Sequence, residues 1–147
     1  NLALGQFLKY NINNIGDPFH PNSGINTCNF EQEVISFWSS ALNLEPANAW
    51  GYITNGSTEG IMYGITQGRN RYEDAVLIFT EQSHYCLLKI AKPLRLPYRL
   101  VPSRLDGTLN LEALTNTLVE LGGQPFIINL TVGTTFHGAI EYPQLVL

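Results

Sequence analysis

The run Ala75-Val76-Leu77-Ile78-Phe79-Thr80 constrains the fold more than any other feature of this chain. It has the length of a strand and is apolar without interruption up to Thr80. A strand with one wet face alternates apolar and polar residues, whereas a continuous run fits a strand covered on both faces. Helices on both sides of a mainly parallel sheet provide that cover.

The flanking sequence supplies the helices. Asn29 is placed to cap a helix, with Gln32 three residues on, and Phe30, Val34, Phe37, Trp38 and Ala41 then recur at helical spacing. Pro46 closes that element. Trp50–Thr54 reads as a strand, and Thr58 to Arg71 as a helix with Ile61, Met62, Ile65 and Gly68 on one face. Ser83 is a candidate cap for a helix through about Lys92, and Pro97–Pro102 is a weaker strand. Asp106-Gly107 is a turn. Asn110 caps a helix from Leu111 to about Leu121 that Gly122-Gly123 ends, and Phe126–Thr131 is a further strand. Strands alternating with helices predict an α/β fold. The expected division is an arm and helix over 1–49, and part of an α/β domain over 50–147.

Composition narrows the function. With 147 residues the chain is one domain or a piece of a larger one, and 8 basic against 12 acidic residues give a net charge of −4. A nucleic-acid surface is not expected, because no basic run appears. No apolar segment approaches the roughly 18–20 residues of a membrane span. Cys28 and Cys86 make no disulfide framework, which together with the lack of an export signal fits a reducing, cytoplasmic setting. Asn55-Gly56-Ser57 and Asn129-Leu130-Thr131 match the glycosylation pattern but lie at strand ends, and are read as chance. Because the chain starts at Asn1 and stops within the apolar Leu145-Val146-Leu147, a fragment is expected.

Three segments fall where strands end, and in α/β sheets ligands bind at the carboxyl ends of strands. The first is Thr54-Asn55-Gly56-Ser57-Thr58-Glu59-Gly60. Small residues between strand and helix leave N–H groups and two hydroxyls at a helix start, which suits phosphate; the plainer reading is a capped helix. It has neither the ending of a P-loop nor the spacing of a dinucleotide turn. The second is Glu81-Gln82-Ser83-His84-Tyr85, whose His84 is either a hydrogen-bonded structural residue or a flat, cation-capable group beside a ring. The third is Gly133-Thr134-Thr135, either a turn with locally bonded hydroxyls or a further contact. Lys89, Lys92 and Arg95 read as a solvated face. His20, Cys28, His84 and Cys86 lack zinc-ligand spacing, so no metal is expected.

These segments, in order, carry a resemblance. Ile12-Asn13-Asn14-Ile15-Gly16-Asp17-Pro18-Phe19, Phe30-Glu31-Gln32-Glu33-Val34, Trp50 through Gly60, Ser83-His84-Tyr85 and Gly133-Thr134-Thr135-Phe136-His137-Gly138-Ala139-Ile140 together resemble the pyridoxal-phosphate-dependent group II decarboxylases. Within them the histidine and serine decarboxylase branch is the most similar. The resemblance implies part of the large domain of a fold-type I enzyme, with pyridoxal 5'-phosphate as cofactor, an L-amino acid as substrate and a homodimer as assembly. It implies that Ser57 and Thr58 hold the cofactor phosphate. His84 would stack on the pyridine ring and align the scissile carboxylate. Thr134 would approach the phenolic oxygen, and Asn13, in the arm 13–19, would line the substrate entrance. The family's Schiff-base Lys and pyridine-contacting Asp would follow Gly138-Ala139 by some tens of residues, and none of Lys9, Lys89 and Lys92 matches that Lys. The piece alone is therefore expected to be inactive.

Departures from the family pattern bear on substrate. Glu141 stands where Asp is usual, Asn26-Thr27-Cys28 replaces a His-Ser-Arg-like string, and Ser57 stands where Gly or Cys is more usual. Histidine, serine and aromatic amino acids all remain open as substrates. A non-catalytic truncated paralogue acting as a scaffold, and another fold-type I enzyme, are the competing readings.

Overall fold

The computed structural model describes residue 5, residues 16–20 and residues 26–146. The chain divides into two compact units, Asn1–Asn55 and Gly56–Leu147.

In the first unit, helix α1 (Cys28–Ala41) is followed by a 3-10 turn at Pro46–Asn48. The helix begins one residue before the expected cap. Thr27 is the N-cap residue, and Asn26 Oδ1 accepts the Cys28 N–H (3.1 Å), so Asn29 lies inside the first turn. Phe30, Val34, Phe37 and Trp38 of its apolar stripe are exposed, while Cys28 and Ser39 are buried. Trp50–Thr54, expected as a strand, forms no strand among the described residues. Two of its groups bind side chains: the Ile53 N–H donates to Glu31 Oε1 (2.6 Å) and the Trp50 indole Nε1 to Asp17 Oδ1 (3.1 Å). Asp17 also accepts the Phe19 N–H, and that backbone bond is the largest cause holding its carboxyl below the ordinary value.

The second unit contains the sheet. Its elements are α2 (Ser57–Arg71), β1 (Val76–Thr80), α3 (Cys86–Leu94), β2 (Tyr98–Val101), α4 (Leu111–Leu121) and β3 (Phe126–Ile128). The strands are ordered β2-β1-β3 and all pairs are parallel. Leu77 pairs with Tyr98 and Thr80 with Val101 on one side of β1, and Val76 pairs with Phe126 and Ile78 with Ile128 on the other. The fold class read from the sequence therefore stands.

All five residues of β1 are buried, and its two faces enter different cores. Leu77 and Phe79 pack with Ile65 of α2 and with Cys86, Leu87, Ile90 and Ala91 of α3. Ile78 faces the other way, against Val101, Leu109 and Leu114 of α4. The unbroken apolar run is thus the signature of a strand between two helix layers. Burying such side chains contributes about 1.5–3 kcal/mol each, so β1 is the most firmly held element.

The ends follow local chemistry. Asn110 Oδ1 accepts the Ala113 N–H (3.1 Å) at the start of α4, and Gly122, in the left-handed region at φ 59°, terminates it. Ser83 does not cap α3, which starts at Cys86 behind Tyr85. Its hydroxyl turns back to the strand end, accepting the Thr80 N–H (3.1 Å).

Candidate functional site

The tight turn between α2 and β1, closed by Ala75 N–H to Tyr72 C=O (3.1 Å), reverses the chain. Helix α2 therefore runs opposite to β1, and Ile61 and Ile65 lie along the same apolar core as Leu77 and Phe79. Its N-terminus comes to the carboxyl edge of the sheet. The segments after β1 and β3 leave from that same edge. Ser57 and Thr58 open α2, while His84 and Thr134 lie in the segments that follow β1 and β3, all within one unit; in such sheets ligands bind at the carboxyl ends of the strands. Asn13 lies outside the described residues.

At the start of α2, Gly56 is extended (φ 171°, ψ 167°), and no side chain caps the helix. The Glu59 and Gly60 N–H groups turn to the Gly56 carbonyl (3.1 and 3.3 Å). Ser57 and Thr58 are exposed. Open space lies in front of Gly56, where an added Cβ would meet nothing within 4 Å. The first N–H groups of a helix have no partner within the helix itself, and the helix dipole adds positive potential there. Two hydroxyls beside them complete a donor set for a dianionic oxygen group.

His84 follows the Thr80–Ser83 turn. Its Nδ1 accepts the Cys86 N–H (3.2 Å), which leaves the ring's other nitrogen as the donor in the neutral form. The ring lies 4.2 Å from that of Tyr85, tilted by 38°, and Lys89 Nζ sits 4.5 Å from the Tyr85 centroid. Lys89 is thus engaged with an aromatic face. His84 is exposed and held at one edge, so a flat group can lie against it.

Thr134 is buried, and its hydroxyl accepts the Ala139 N–H (3.0 Å) inside a tight loop. Its N–H reaches the Ala139 carbonyl (3.0 Å), and its carbonyl accepts the Gly138 N–H (2.8 Å). The hydroxyl keeps its hydrogen to donate, but most of the residue's bonding is spent on loop shape. This loop meets the His84 segment through His137 Nδ1 and Gln82 Oε1 (3.1 Å) and through a long Thr131–Ser83 hydroxyl contact (3.5 Å). Among the described residues, no hydrogen bond or ring contact joins Ser57 or Thr58 to His84 or Thr134.

One residue passed over as a mere departure from pattern turns out to be structurally engaged. Glu141 is 1% exposed, and its Oε2 accepts the Thr131 N–H at 2.7 Å. Its Oε1 is buried with no hydrogen-bond partner. The signal was present in the sequence: a lone carboxylate between Ile140 and Tyr142, just after a strand-end loop. Both cysteines are buried free thiols, and no group of three or more potential metal ligands occurs among the described residues. No helix among them is long and apolar enough to cross a membrane.

A parallel sheet covered on both faces, with helices between its strands, defines the class as α/β. No protein-family model matches the chain. It is 37% identical over 146 residues to serine decarboxylase 1 of Oryza sativa subsp. japonica, covering 99% of this chain and 30% of that protein. It is also 37% identical over 139 residues to the histidine decarboxylase of Klebsiella aerogenes, covering 94% and 37% respectively. In structure it resembles L-methionine decarboxylase from Streptomyces sp.590, with a TM-score of 0.80 and 27% identity over 95% of this chain and 39% of that one. By sequence and by fold the chain is similar to the group II decarboxylases. It spans about a third of the length of the curated relatives it matches.

Proposed function

We propose that the whole protein decarboxylates an L-amino acid to its amine with pyridoxal 5'-phosphate, with histidine as the first candidate substrate and serine or an aromatic amino acid as the alternatives. The observation that carries this reading is the exposed Ser57-Thr58 pair opening α2 behind an N-cap glycine, in the same unit as the exposed His84. The residues there fit the cofactor: its phosphate needs an exposed set of N–H and O–H donors, and its ring needs a flat partner. Ser57 and Thr58 hold the phosphate. His84, oriented by its bond to the Cys86 N–H, lies against the ring and the substrate carboxylate. Thr134 offers its hydroxyl hydrogen near the ring's oxygen substituent. When bound, the cofactor supplies the electron sink that lets the bond to the carboxylate break.

Residues 1–49 act as arm and helix and 50–147 as part of the cofactor-binding domain, with Asn13 at the substrate entrance. The protein works as a homodimer in the cytoplasm, a setting that suits two buried free thiols. The reading is supported by relatives named for serine and histidine decarboxylation.

The test is to incubate the whole protein with pyridoxal 5'-phosphate and a panel of amino acids, and to follow carbon dioxide release. Histidine should give carbon dioxide and the matching amine. Failure of every amino acid in the panel would remove the enzyme assignment.

A further inference from the structure

Glu141 is a buried carboxylate that the roles above leave unused. Burial of an acidic group is costly unless its oxygens are paired. Here one oxygen has no partner, and no cation pairs with it among the described residues. The other oxygen accepts the Thr131 N–H (2.7 Å), while the Glu141 N–H donates to the Thr131 carbonyl (3.0 Å). Both backbone groups of Thr131 are therefore bound by one residue. That double link closes the loop 132–140 at its base, below the Val132–Ile140 bridge. Inside the closed loop sits Thr134, fixed by two hydrogen bonds to Ala139 and one from the Gly138 N–H. Thr131 also carries the hydroxyl that reaches Ser83, whose Oγ accepts the Thr80 N–H immediately before His84.

We propose that Glu141 is a positioning residue, which acts by clamping Thr131 so that the loop bearing Thr134 is held against the segment bearing His84. This rests on the reading of the site as a pyridoxal 5'-phosphate site. The working part of Glu141 is the acceptor oxygen on the Thr131 N–H. A side-chain amide of the same length preserves that oxygen, a shorter carboxylate draws it back, and alanine removes it.

The experiment uses the whole protein and its Glu141→Ala, Glu141→Gln and Glu141→Asp variants. Pyridoxal 5'-phosphate affinity is read from the cofactor's absorption band, and backbone exchange from hydrogen–deuterium mass spectrometry. Glu141→Ala should weaken cofactor binding at least tenfold and shift the absorption band. Exchange should speed up in a peptide spanning 129–136, with strand 76–80 unchanged. Glu141→Gln should restore affinity to within about threefold, and Glu141→Asp should fall between the two. Where Glu141→Ala does not accumulate as folded protein, Glu141→Asp carries the test on the same readouts. Ser103→Ala, at the other buried unpartnered oxygen, should leave cofactor binding unchanged. Unaltered affinity and band in the Ala and Asp variants, or a Gln variant as impaired as Ala, would overturn the clamp. If the unsubstituted protein does not bind the cofactor, the proposed function falls together with it. Normal binding by the parent and by every variant sinks the clamp alone.

Discussion

Ser57 and Thr58 are the positions where one residue type serves two ends. Either hydroxyl could cap its own helix, and the sequence alone leaves that choice open. The structure puts Gly56 at the N-cap, so neither hydroxyl caps α2, and both residues are exposed. A hydrogen bond to a charged group contributes about 1.5–3 kcal/mol, whereas a neutral one contributes about 1 kcal/mol. Spending the hydroxyls on a phosphate is therefore the stronger use. Replacing both with Ala removes two hydroxyl donors but leaves the backbone N–H groups in place. Cofactor affinity of the whole protein should fall about 100- to 10,000-fold, at roughly tenfold per 1.4 kcal/mol. Secondary structure should be retained, since Ala favours helix. Fluorescence titration with pyridoxal 5'-phosphate reads the loss. Affinity within twofold of the parent would mean that the phosphate lies elsewhere.

Among the elements, the legibility of β1 had a plain cause: a strand buried on both faces carries its environment in its own composition. Helix α4 was equally readable, because Asn110 and Gly122 are local signals that act locally. Trp50–Thr54 is not a strand among the described residues because propensity does not supply a neighbouring strand, and its Ile53 N–H and Trp50 indole bind the Glu31 and Asp17 side chains. Ser83 misled because an N-cap and a strand-end turn ask for the same hydroxyl, and Thr80 took it. Glu141 escaped because burial is a tertiary fact. Loop contacts are of the same kind. Gly107 adopts φ +81°, and a Cβ there would come within 2.6 Å of His137 Cβ. Neither the backbone nor that atom yields easily. Gly107→Ala should destabilise the protein by about 1–3 kcal/mol from the backbone term alone. It should also displace His137 from Gln82. Denaturant unfolding measures the first effect, and an unchanged midpoint would show that the turn adapts freely.

At the scale of the whole molecule, a ligand that binds only the folded state raises stability by an amount set by its concentration. The gain is about 2.7 kcal/mol at a hundredfold excess over Kd. If α2 provides the phosphate grip, that gain belongs largely to the phosphate. Pyridoxal 5'-phosphate should then raise the thermal midpoint of the whole protein by several degrees, and pyridoxal at equal concentration should raise it far less. Inorganic phosphate should compete with the cofactor. The helix N-terminus favours the more negative form of a bound group, and a phosphate monoester loses its second charge below about pH 6. The cofactor's stabilising effect is therefore present above that pH and shrinks as pH falls through it. Differential scanning fluorimetry at pH 5 and pH 7.5, with each of the three ligands, reads all of these at once. Equal shifts from pyridoxal and its phosphate would place the main grip on the ring, at His84, and remove α2 from the role assigned to it.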